Sequence, residues 1–143
     1  MNKPFARRRI RSTPFLSKTK FLNGLQCAKL LWYAVNRKDE IPAVDAATQA
    51  IFDAGHDVGE LAWRLFPNGR SAAVPDGTFH GRIQATRDVL AIRRPVFEAA
   101  LSAESCYVQV DILVPAEGTA WDIVEVKSTT AVKQEHLYDV AFQ

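Results

Sequence analysis

Two strand-like segments joined by a short loop constrain the fold of this chain more than any other feature. The segments "CYVQVDILV" (106–114) and "AWDIVEVKS" (120–128) are rich in β-branched residues that alternate with a period of two. The "PAEGT" between them has the proline and glycine of a hairpin loop. A third strand-like segment, "VFEAAL" (96–101), precedes them. The sequence therefore predicts three strands, the last two paired as a hairpin.

Three charged side chains interrupt the apolar character of these strands. Asp111, Glu125 and Lys127 lie where a strand favours an apolar residue. Residues two apart share a face, so a loop of odd length with Pro115 opposite Trp121 places all three on one side of the sheet. A two- or four-residue loop without a bulge would place them on opposite faces. The register of the hairpin therefore decides whether they form a site.

Two carboxylates on one face repel each other unless a cation lies between them. Mg²⁺ takes oxygen ligands, commonly one or two carboxylates with water and a substrate phosphate. Such an ion polarises a phosphodiester and activates water, while a lysine on the same face orients that water or stabilises the phosphoryl charge. The three residues are therefore the minimum set for a metal-dependent phosphodiesterase. The competing interpretation is an incidental acid-x-Lys triplet of the kind that decorates exposed strands.

Helical periodicity covers most of the remaining chain. Ser17 has the position of an N-cap for a first helix whose apolar positions we interpret as core. These positions are Phe21, Leu25, Ala28, Trp32 and Val35. A second helix is expected from about Ala46 to Phe66, a third from about Phe79 to Arg93, and a last one starts in "VKQEHLYDVAFQ". The inner stripe expected on the second helix is Phe52, Gly55, Val58, Ala62 and Leu65.

The second helix carries two further features. Gly55 and Gly59, four residues apart, would let another backbone approach closely. His56 and Glu60 have the same spacing and share a face. That face lies largely away from the apolar stripe, so we favour a solvent-exposed face with an incidental ion pair over a functional one.

Length and composition indicate one globular domain. The chain has 143 residues, 48% hydrophobic and 24% charged. It has no apolar run long enough to cross a bilayer, no apolar segment behind its basic N-terminus, and too few cysteines for a disulfide framework. We therefore expect a cytoplasmic protein without membrane contact. Its domain would cover 16–143, behind a flexible basic arm at 1–15.

The basic arm suits a polyanionic partner. Arg7, Arg8 and Arg9 are consecutive, and no acidic residue precedes Asp39. Such a segment is typical of contacts with nucleic acid. A solvated, disordered tail explains the same composition equally well.

These residues and segments together resemble a known group of enzymes. Asp111, followed after a loop by Glu125-Val126-Lys127, resembles the PD-(D/E)XK nuclease superfamily. More narrowly, the chain resembles the RecB-like branch and an uncharacterised bacterial family related to the RecB-like CRISPR-associated exonucleases. The similar segments are "LSKTKFLNGLQCAKLLW", "FDAGHDVGELAWRLFPNG", "ATRDVLAIRRPVFEAAL" and "VQVDILVPAEGTAWDIVEVKSTTAVKQEHLYDVAFQ". The resemblance implies an α/β fold with a restriction-endonuclease-like core, in which helices flank a mixed central sheet.

The resemblance also implies roles for individual residues. Asp111 and Glu125 would be the ligands of Mg²⁺ or Mn²⁺, helped by the carbonyl of Val126, and Lys127 would be the catalytic lysine. Gln143 would open a Gln-x-x-x-Tyr motif, whose helix contacts DNA in RecB-like enzymes.

Many relatives place a further His or Glu near the metal on an upstream helix. Glu60 is our candidate for that role and His56 the second choice, because Gly59 stands close to where a histidine is expected. Glu98 in the first strand could also face the site, although a structural ion pair is an equally good interpretation.

The chain departs from the family pattern in two ways. Some RecB-like nucleases bind an iron–sulfur cluster through one early cysteine and three late ones. Cys27 lies where the early ligand would be, but the late trio is missing, so we expect no cluster and interpret Cys27 as a small core residue. The fourth core strand expected after the last helix is missing too. We therefore expect this chain to be the N-terminal piece of a longer protein.

The resulting functional prediction is a Mg²⁺-dependent DNA nuclease that hydrolyses phosphodiester bonds by metal-activated water, without a covalent intermediate. The alternative is a non-catalytic nucleic-acid-binding module with a degenerate or incomplete nuclease fold. A third interpretation is a structural domain whose charges form a solvated ion-pair patch. The choice between DNA and RNA, the strand type, the cleavage pattern and the oligomeric state stay open.

Overall fold

A mixed sheet of five strands, flanked by five helices, forms the part of the chain that the computed structural model describes, residues 15–75 and 77–143. The strands are β1 (Leu16–Ser17), β2 (Arg70–Ser71), β3 (Val96–Ala103), β4 (Cys106–Pro115) and β5 (Trp121–Val124). The helices are α1 (Lys18–Gln26), α2 (Ala28–Asn36), α3 (Ala46–Trp63), α4 (Phe79–Leu90) and α5 (Gln134–Phe142). The predicted α/β class with a mixed central sheet is confirmed. Arg7, Arg8 and Arg9 lie outside the described residues.

β4 is the strand around which the sheet is organised. It pairs antiparallel with β3 along one edge and with β5 along the other, where the short β1 also runs parallel to it. β1 pairs with positions 106–107 and β5 with positions 112–115, so they occupy opposite ends of the same edge. At the opposite edge of the sheet, β2 pairs parallel with β3. The start of α1 therefore adjoins the same edge of β4 as the hairpin.

The β4–β5 hairpin has the odd register that brings the charged residues together. Pro115 is opposite Trp121, and the pairing continues to Ile112 opposite Val124. Of the alternatives that the sequence left open, the structure therefore has the odd-numbered loop at 116–120. The strand itself is shorter than predicted, since the ladder ends at Val124 and not at 128.

The side chain of Arg93 holds the hairpin loop. Its guanidinium donates to the carbonyl oxygens of Ala116 (2.9 Å), Gly118 (2.8 Å) and Ala120 (3.2 Å), and it lies 4.8 Å from the centre of the Trp121 ring. The guanidinium presents several donors in one plane and also stacks on aromatic rings. Arg93 is in the left-handed region (φ 54), which costs a non-glycine residue free energy. Its contacts with the loop offset this cost.

The first predicted helix is divided into two. Ser17 caps α1 as predicted, its hydroxyl accepting from the Lys20 N–H, but Cys27 is extended (φ −164, ψ 118) and separates α1 from α2. A Cβ on Gly24 would lie 3.1 Å from the Leu31 side chain, so a glycine at this position lets α2 pack closely against α1. The prediction of one continuous helix is therefore wrong.

The apolar stripe assigned to the core of this region is mostly exposed. Leu25 and Trp32 are 51% and 53% exposed, whereas Phe21 stacks on Phe142 of α5 with a centroid separation of 4.7 Å. Cys27, predicted as a small core residue, is exposed. The break at this cysteine rotates α2 away from the line that a single helix would follow. The core interpretation therefore holds for Phe21 and is wrong for the rest named here.

α3 packs against the sheet through its C-terminal end. Trp63 stacks on Phe97 of β3 with a centroid separation of 4.8 Å and an interplanar angle of 2°. Phe52 and Leu65, predicted to face inward, are exposed. A Cβ added at Gly55 would meet no described atom within 4 Å, and the same is true of Gly59. Among residues 15–75 and 77–143, no backbone makes the close approach that these glycines would allow.

Thr86 joins α4 to the sheet at the centre of the core. Its side chain is fully buried, and its hydroxyl donates to the Arg82 carbonyl (3.0 Å) while accepting from the Ala100 N–H (2.8 Å). The Ala100 amide lies past the end of short β2, so it has no strand partner on that edge. The threonine hydroxyl satisfies this buried donor. Within the two described ranges, no helix combines the length and the apolar character that spanning a bilayer requires.

Replacing Thr86 by its isostere valine is expected to lower the free energy of unfolding by about 1–3 kcal/mol, because the Ala100 N–H would be buried without an acceptor. Thr129→Val is the matched control, since the Thr129 hydroxyl makes one exposed contact at 3.4 Å. We expect the control to change stability by less than about 0.5 kcal/mol. Urea unfolding followed by circular dichroism measures both variants. Equal stability of the two variants would contradict the assigned role of Thr86.

Candidate active site

Three carboxylates lie abreast across the central strands. Glu98 of β3 is opposite Asp111 of β4, and Glu125 follows one step beyond the last residue of β5. The flanking pairs that set this register are Phe97–Ile112, Ala99–Val110 and Ile112–Val124. Like charges placed directly opposite one another destabilise a sheet. Glu98 also has a positive φ of 56 in mid-strand, a strained conformation that tends to occur at functional sites.

Asp111 lies in the middle of this row. Its Oδ2 accepts from the Val126 N–H at 2.8 Å, so the side chain of Asp111 binds the backbone where the β5 ladder would otherwise continue. Burial raises the pKa of Asp111, and the neighbouring charges of Glu125 and Glu98 add to this, whereas the Val126 hydrogen bond and Lys18 act against it. The net direction is upward. The ionised form of Asp111 is therefore disfavoured mainly by its removal from water, and secondly by its acidic neighbours.

Glu125 is surrounded by donors from three parts of the chain. Its carboxylate accepts from Lys18 Nζ (3.0 and 3.3 Å), Lys127 Nζ (2.6 Å) and Gln143 Nε2 (2.8 Å). The Glu125 side chain is 5% exposed. A cation can therefore bind to Glu125 only by replacing one of these donors.

Asp139 of α5 is a fourth carboxylate in this cluster. It accepts from Lys127 Nζ at 2.5 Å, lies 3.3 Å from Lys18 Nζ, and is 3% exposed. Burial alone would raise the pKa of Asp139, but the Lys127 hydrogen bond and the Lys18 charge outweigh burial, so the pKa lies below its ordinary value. Asp139 is therefore ionised and binds both lysines.

Lys127 is held as a cation. Burial acts to lower the pKa of this lysine, but its hydrogen bonds with Asp139 and Glu125 raise the pKa above the ordinary value. A lysine with a raised pKa does not serve as a base near neutral pH. Lys127 is therefore suited to placing a positive charge and to donating hydrogen bonds.

The charges of this cluster do not balance. Four carboxylates, those of Glu98, Asp111, Glu125 and Asp139, face two ammonium groups, those of Lys18 and Lys127. Its formal charge is two units negative. Burial is the main cause of the raised pKa of Asp111, and the charges of Glu125 and Glu98 add to it. A divalent cation would neutralise this excess.

The cluster opens into a cleft of about 870 Å³ between the sheet and α3. The predicted residues that line it are Asp111, Glu125, Val126, Lys127, Glu98, Glu60 and His56. His56 and Glu60 are exposed on α3, as the solvent-face interpretation expects, and they also border the cleft. Glu98 accepts from Gln109 Nε2 (2.5 Å) and borders the cleft, and it makes no ion pair with any described residue. The structure brings the predicted residues to one cleft.

Gln143 faces the same site from the end of α5. Its side-chain amide donates to Glu125 and, at 3.3 Å, to Asp139, while its Oε1 is buried without a hydrogen-bond partner among the described residues. The predicted contact of Gln143 with DNA stays a prediction, since this amide is turned towards the carboxylates.

The carboxylates of the cluster are the smallest set of protein ligands that suits a hard divalent cation. Within residues 15–75 and 77–143, no three His, Cys, Asp or Glu side chains are close enough together to hold a metal. Mg²⁺ needs one or two protein carboxylates because water and substrate supply the remaining ligands. Asp111 and Glu125 would supply these two carboxylates, provided that Glu125 first releases one of its donors. The role of the Val126 carbonyl stays a prediction, since the contact shown at this residue is made by its amide.

Sequence reasoning missed Lys18 and Asp139. A lysine in the first turn of a helix has the unfavourable charge for the helix dipole, and no acidic residue accompanies it in α1. That mismatch was the available signal for Lys18. Asp139 lies four residues before Gln143 and therefore on the same face of α5. Its pairing with Lys127 depends on where α5 docks, which the sequence pattern did not give.

Comparison of the chain with protein families, curated proteins and solved structures gave no significant match.

Removing the charge of Asp111 is expected to stabilise the protein, whereas removing that of Asp139 destabilises it. Asp111→Asn keeps an oxygen for the Val126 amide and ends the carboxylate repulsion. We expect it to raise the free energy of unfolding by roughly 0.5–1 kcal/mol, a small gain because the side chain is half-buried. Asp139→Asn leaves the two lysines with one buried carboxylate and costs about 1–3 kcal/mol. Urea unfolding at neutral pH, with exposed Asp122→Asn as control, tests both; a destabilised Asp111→Asn would contradict this account.

The two carboxylates are expected to respond to acid differently. The lowered pKa of Asp139 means that its stabilising contribution is complete above 3.8 and is lost as the pH falls through the folded-state value. The raised pKa of Asp111 means that its penalty is complete above the folded-state value and has gone by 3.8. As the pH is lowered, the stability difference between wild type and Asp111→Asn should therefore disappear by pH 3.8. The difference between wild type and Asp139→Asn should disappear only below pH 3.8. Differences that do not change with pH would show that these charges are not the cause.

Proposed function

We propose that this protein is a divalent-cation-dependent nuclease that hydrolyses phosphodiester bonds in DNA. The observation that carries the proposal is the placement of Asp111, Glu125 and Lys127 on one cleft, with negative charge in excess. A nucleic-acid phosphate cannot approach this cluster favourably until a cation has reduced its charge. The proposal therefore predicts that cation binding precedes or accompanies substrate binding.

The residues of the cluster divide the work between them. Asp111 and Glu125 supply the oxygen ligands, and the Val126 amide fixes the orientation of Asp111. A bound Mg²⁺ would polarise the phosphodiester and lower the pKa of a water molecule. Lys127, kept protonated by Asp139 and Glu125, stabilises the charge that develops on the phosphoryl oxygens. His56 and Glu60 border the cleft from the opposite wall.

The alternative function is a nucleic-acid-binding module without catalysis. The observation that favours it is the full set of donors around Glu125, which leaves that carboxylate no free lone pair for a cation. On this alternative, Lys18 and Lys127 replace the metal permanently. The third interpretation, a solvated ion-pair patch, disagrees with the burial of Glu125 and Asp139.

Cleavage of labelled DNA is expected with Mg²⁺ or Mn²⁺ and should stop in EDTA. Asp111→Asn and Lys127→Gln should each lower the rate by about 100-fold or more, because each removes a group placed at the reacting phosphate. The matched controls are Asp122→Asn on β5 and Lys133→Gln before α5, both exposed and outside the cleft. Single- and double-stranded DNA and RNA are compared in one assay.

The same assay separates the two candidate functions. Wild-type binding without cleavage, unchanged in EDTA and in Asp111→Asn, would establish the binding module and reject the nuclease. Cleavage that survives Asp111→Asn would place the reaction elsewhere on the protein.

A further inference from the structure

We propose that Lys18 is a phosphate-binding residue of this site, and that it is held on Glu125 until a divalent cation takes that carboxylate. The inference rests on the proposed function and adds to it a residue that neither the strand pattern nor the family resemblance assigns. It also gives the order of events, since the movement that lets the divalent cation reach Glu125 also frees the Lys18 ammonium for a substrate phosphate.

The backbone of Lys18 is anchored while its side chain reaches into the cleft. Ser17 pairs with Tyr107 of β4, and the Leu16 N–H donates to the Ser105 carbonyl at 2.9 Å. Lys18 is the first residue of α1, immediately after the Ser17 N-cap. Its position is therefore fixed by the sheet edge. Movement of its ammonium requires rotation of the side chain alone.

The position of this lysine is unfavourable unless it serves the site. The N-terminus of a helix carries partial positive charge, so a lysine there loses free energy that an acidic residue would gain. α1 has no acidic residue in its first turn. Glu125 and Asp139 compensate for the charge of Lys18 across a sequence separation of 107 residues in the first case. The charge of Lys18 is therefore compensated by the carboxylates of the cleft and not by its own helix.

Of the two charged donors on Glu125, Lys18 is the one better placed to leave. Lys127 is bound to Asp139 at 2.5 Å as well as to Glu125 at 2.6 Å. Gln143 donates at 2.8 Å and is also close to Asp139. The contacts of Lys18 are longer, at 3.0 and 3.3 Å to Glu125 and 3.3 Å to Asp139. A divalent cation on Glu125 repels an ammonium and not a neutral amide, so it acts on the two lysines, and Lys18 leaves with less loss than Lys127.

A displaced Lys18 stays beside the carboxylate row. Its side chain is 22% exposed and lines the cleft together with Thr19 and Asp111. A lysine ammonium is a compact charge on a flexible stem and commonly binds phosphate. Once a cation has neutralised the carboxylates, the freed ammonium has a phosphodiester as its natural partner. Nucleic acid is the ligand class that presents such phosphates in a row.

Lys18→Gln is tested against Lys20→Gln, a control on the same helix. Lys20 donates to the Phe15 carbonyl at 2.9 Å and does not line the cleft. Binding of a fluorescent single-stranded DNA oligonucleotide is measured by anisotropy in Ca²⁺ over a range of salt concentrations, and a gel verifies that the probe is intact. Binding of Ca²⁺ alone is measured by titration calorimetry. Ca²⁺ takes oxygen ligands as Mg²⁺ does.

Lys18→Gln is expected to weaken the binding of the oligonucleotide and to strengthen the binding of Ca²⁺. The oligonucleotide should bind roughly tenfold more weakly, through loss of a charged hydrogen bond. The magnitude of the slope of log affinity against log salt concentration should fall by about 1, the contribution of one phosphate contact. Ca²⁺ should bind roughly two- to fivefold more tightly, since its competitor on Glu125 has gone. Lys20→Gln should change none of these, and Lys18→Arg should retain oligonucleotide binding.

If Lys18→Gln weakens the binding of both the oligonucleotide and Ca²⁺, the role of Lys18 is purely structural and the proposal is overturned. Equal changes in Lys18→Gln and Lys20→Gln would reduce the effect to general electrostatics and overturn it too. If Lys18→Gln does not fold, Lys18→Met keeps the apolar stem, and the same outcomes apply. Cleavage by wild type together with unchanged binding by Lys18→Gln rejects this inference but retains the nuclease. Absence of cleavage together with the predicted shifts rejects the nuclease but retains Lys18 as a phosphate ligand.

Discussion

Repulsion between carboxylates in the middle of the sheet is the constraint on which the arrangement of this site depends. Asp111 lies between Glu98 and Glu125, and it forms no ion pair with any lysine or arginine within the described ranges. An isolated sheet would lose stability from such a row. Two lysines bind Glu125 at one end of the row and the Gln109 amide binds Glu98 at the other, while burial and the two acidic neighbours raise the pKa of Asp111 in the centre. Retained unfavourable charge of this kind is what a site for an external cation requires.

The compensation is made by segments that are far apart in the sequence. Lys18 comes from the start of α1, Lys127 follows β5, and Asp139 and Gln143 come from α5. Together they close a hydrogen-bonded ring around Glu125 and connect the first helix to the last. Phe21 and Phe142 stack close to the same junction, so apolar packing supports the polar contacts. Docking of α5 on α1 therefore forms the site and stabilises the fold at the same time.

The sequence pattern predicted the local features of this structure and missed those that depend on how the helices dock. Period-two alternation and the Pro and Gly of the loop were enough to place the hairpin. They left its register open, because loops of odd and even length fit the same segment, and the structure has Pro115 opposite Trp121. The carboxylate row and the cleft residues followed from that register. Asp139 and Lys18 were missed because their partners lie on other elements. The stripe through Leu25 and Trp32 was misassigned because periodicity does not show that Cys27 interrupts the helix.

The measurement that tests this account most directly is the unfolding midpoint of the wild-type protein as a function of Mg²⁺ concentration. A cation that binds the folded carboxylate row and not the unfolded chain raises the midpoint progressively with concentration. Asp111→Asn should show a much smaller rise over the same range, with matched NaCl as the control for screening. A midpoint that does not move with Mg²⁺, or that moves equally in Asp111→Asn, would contradict the claim that these carboxylates form a cation site.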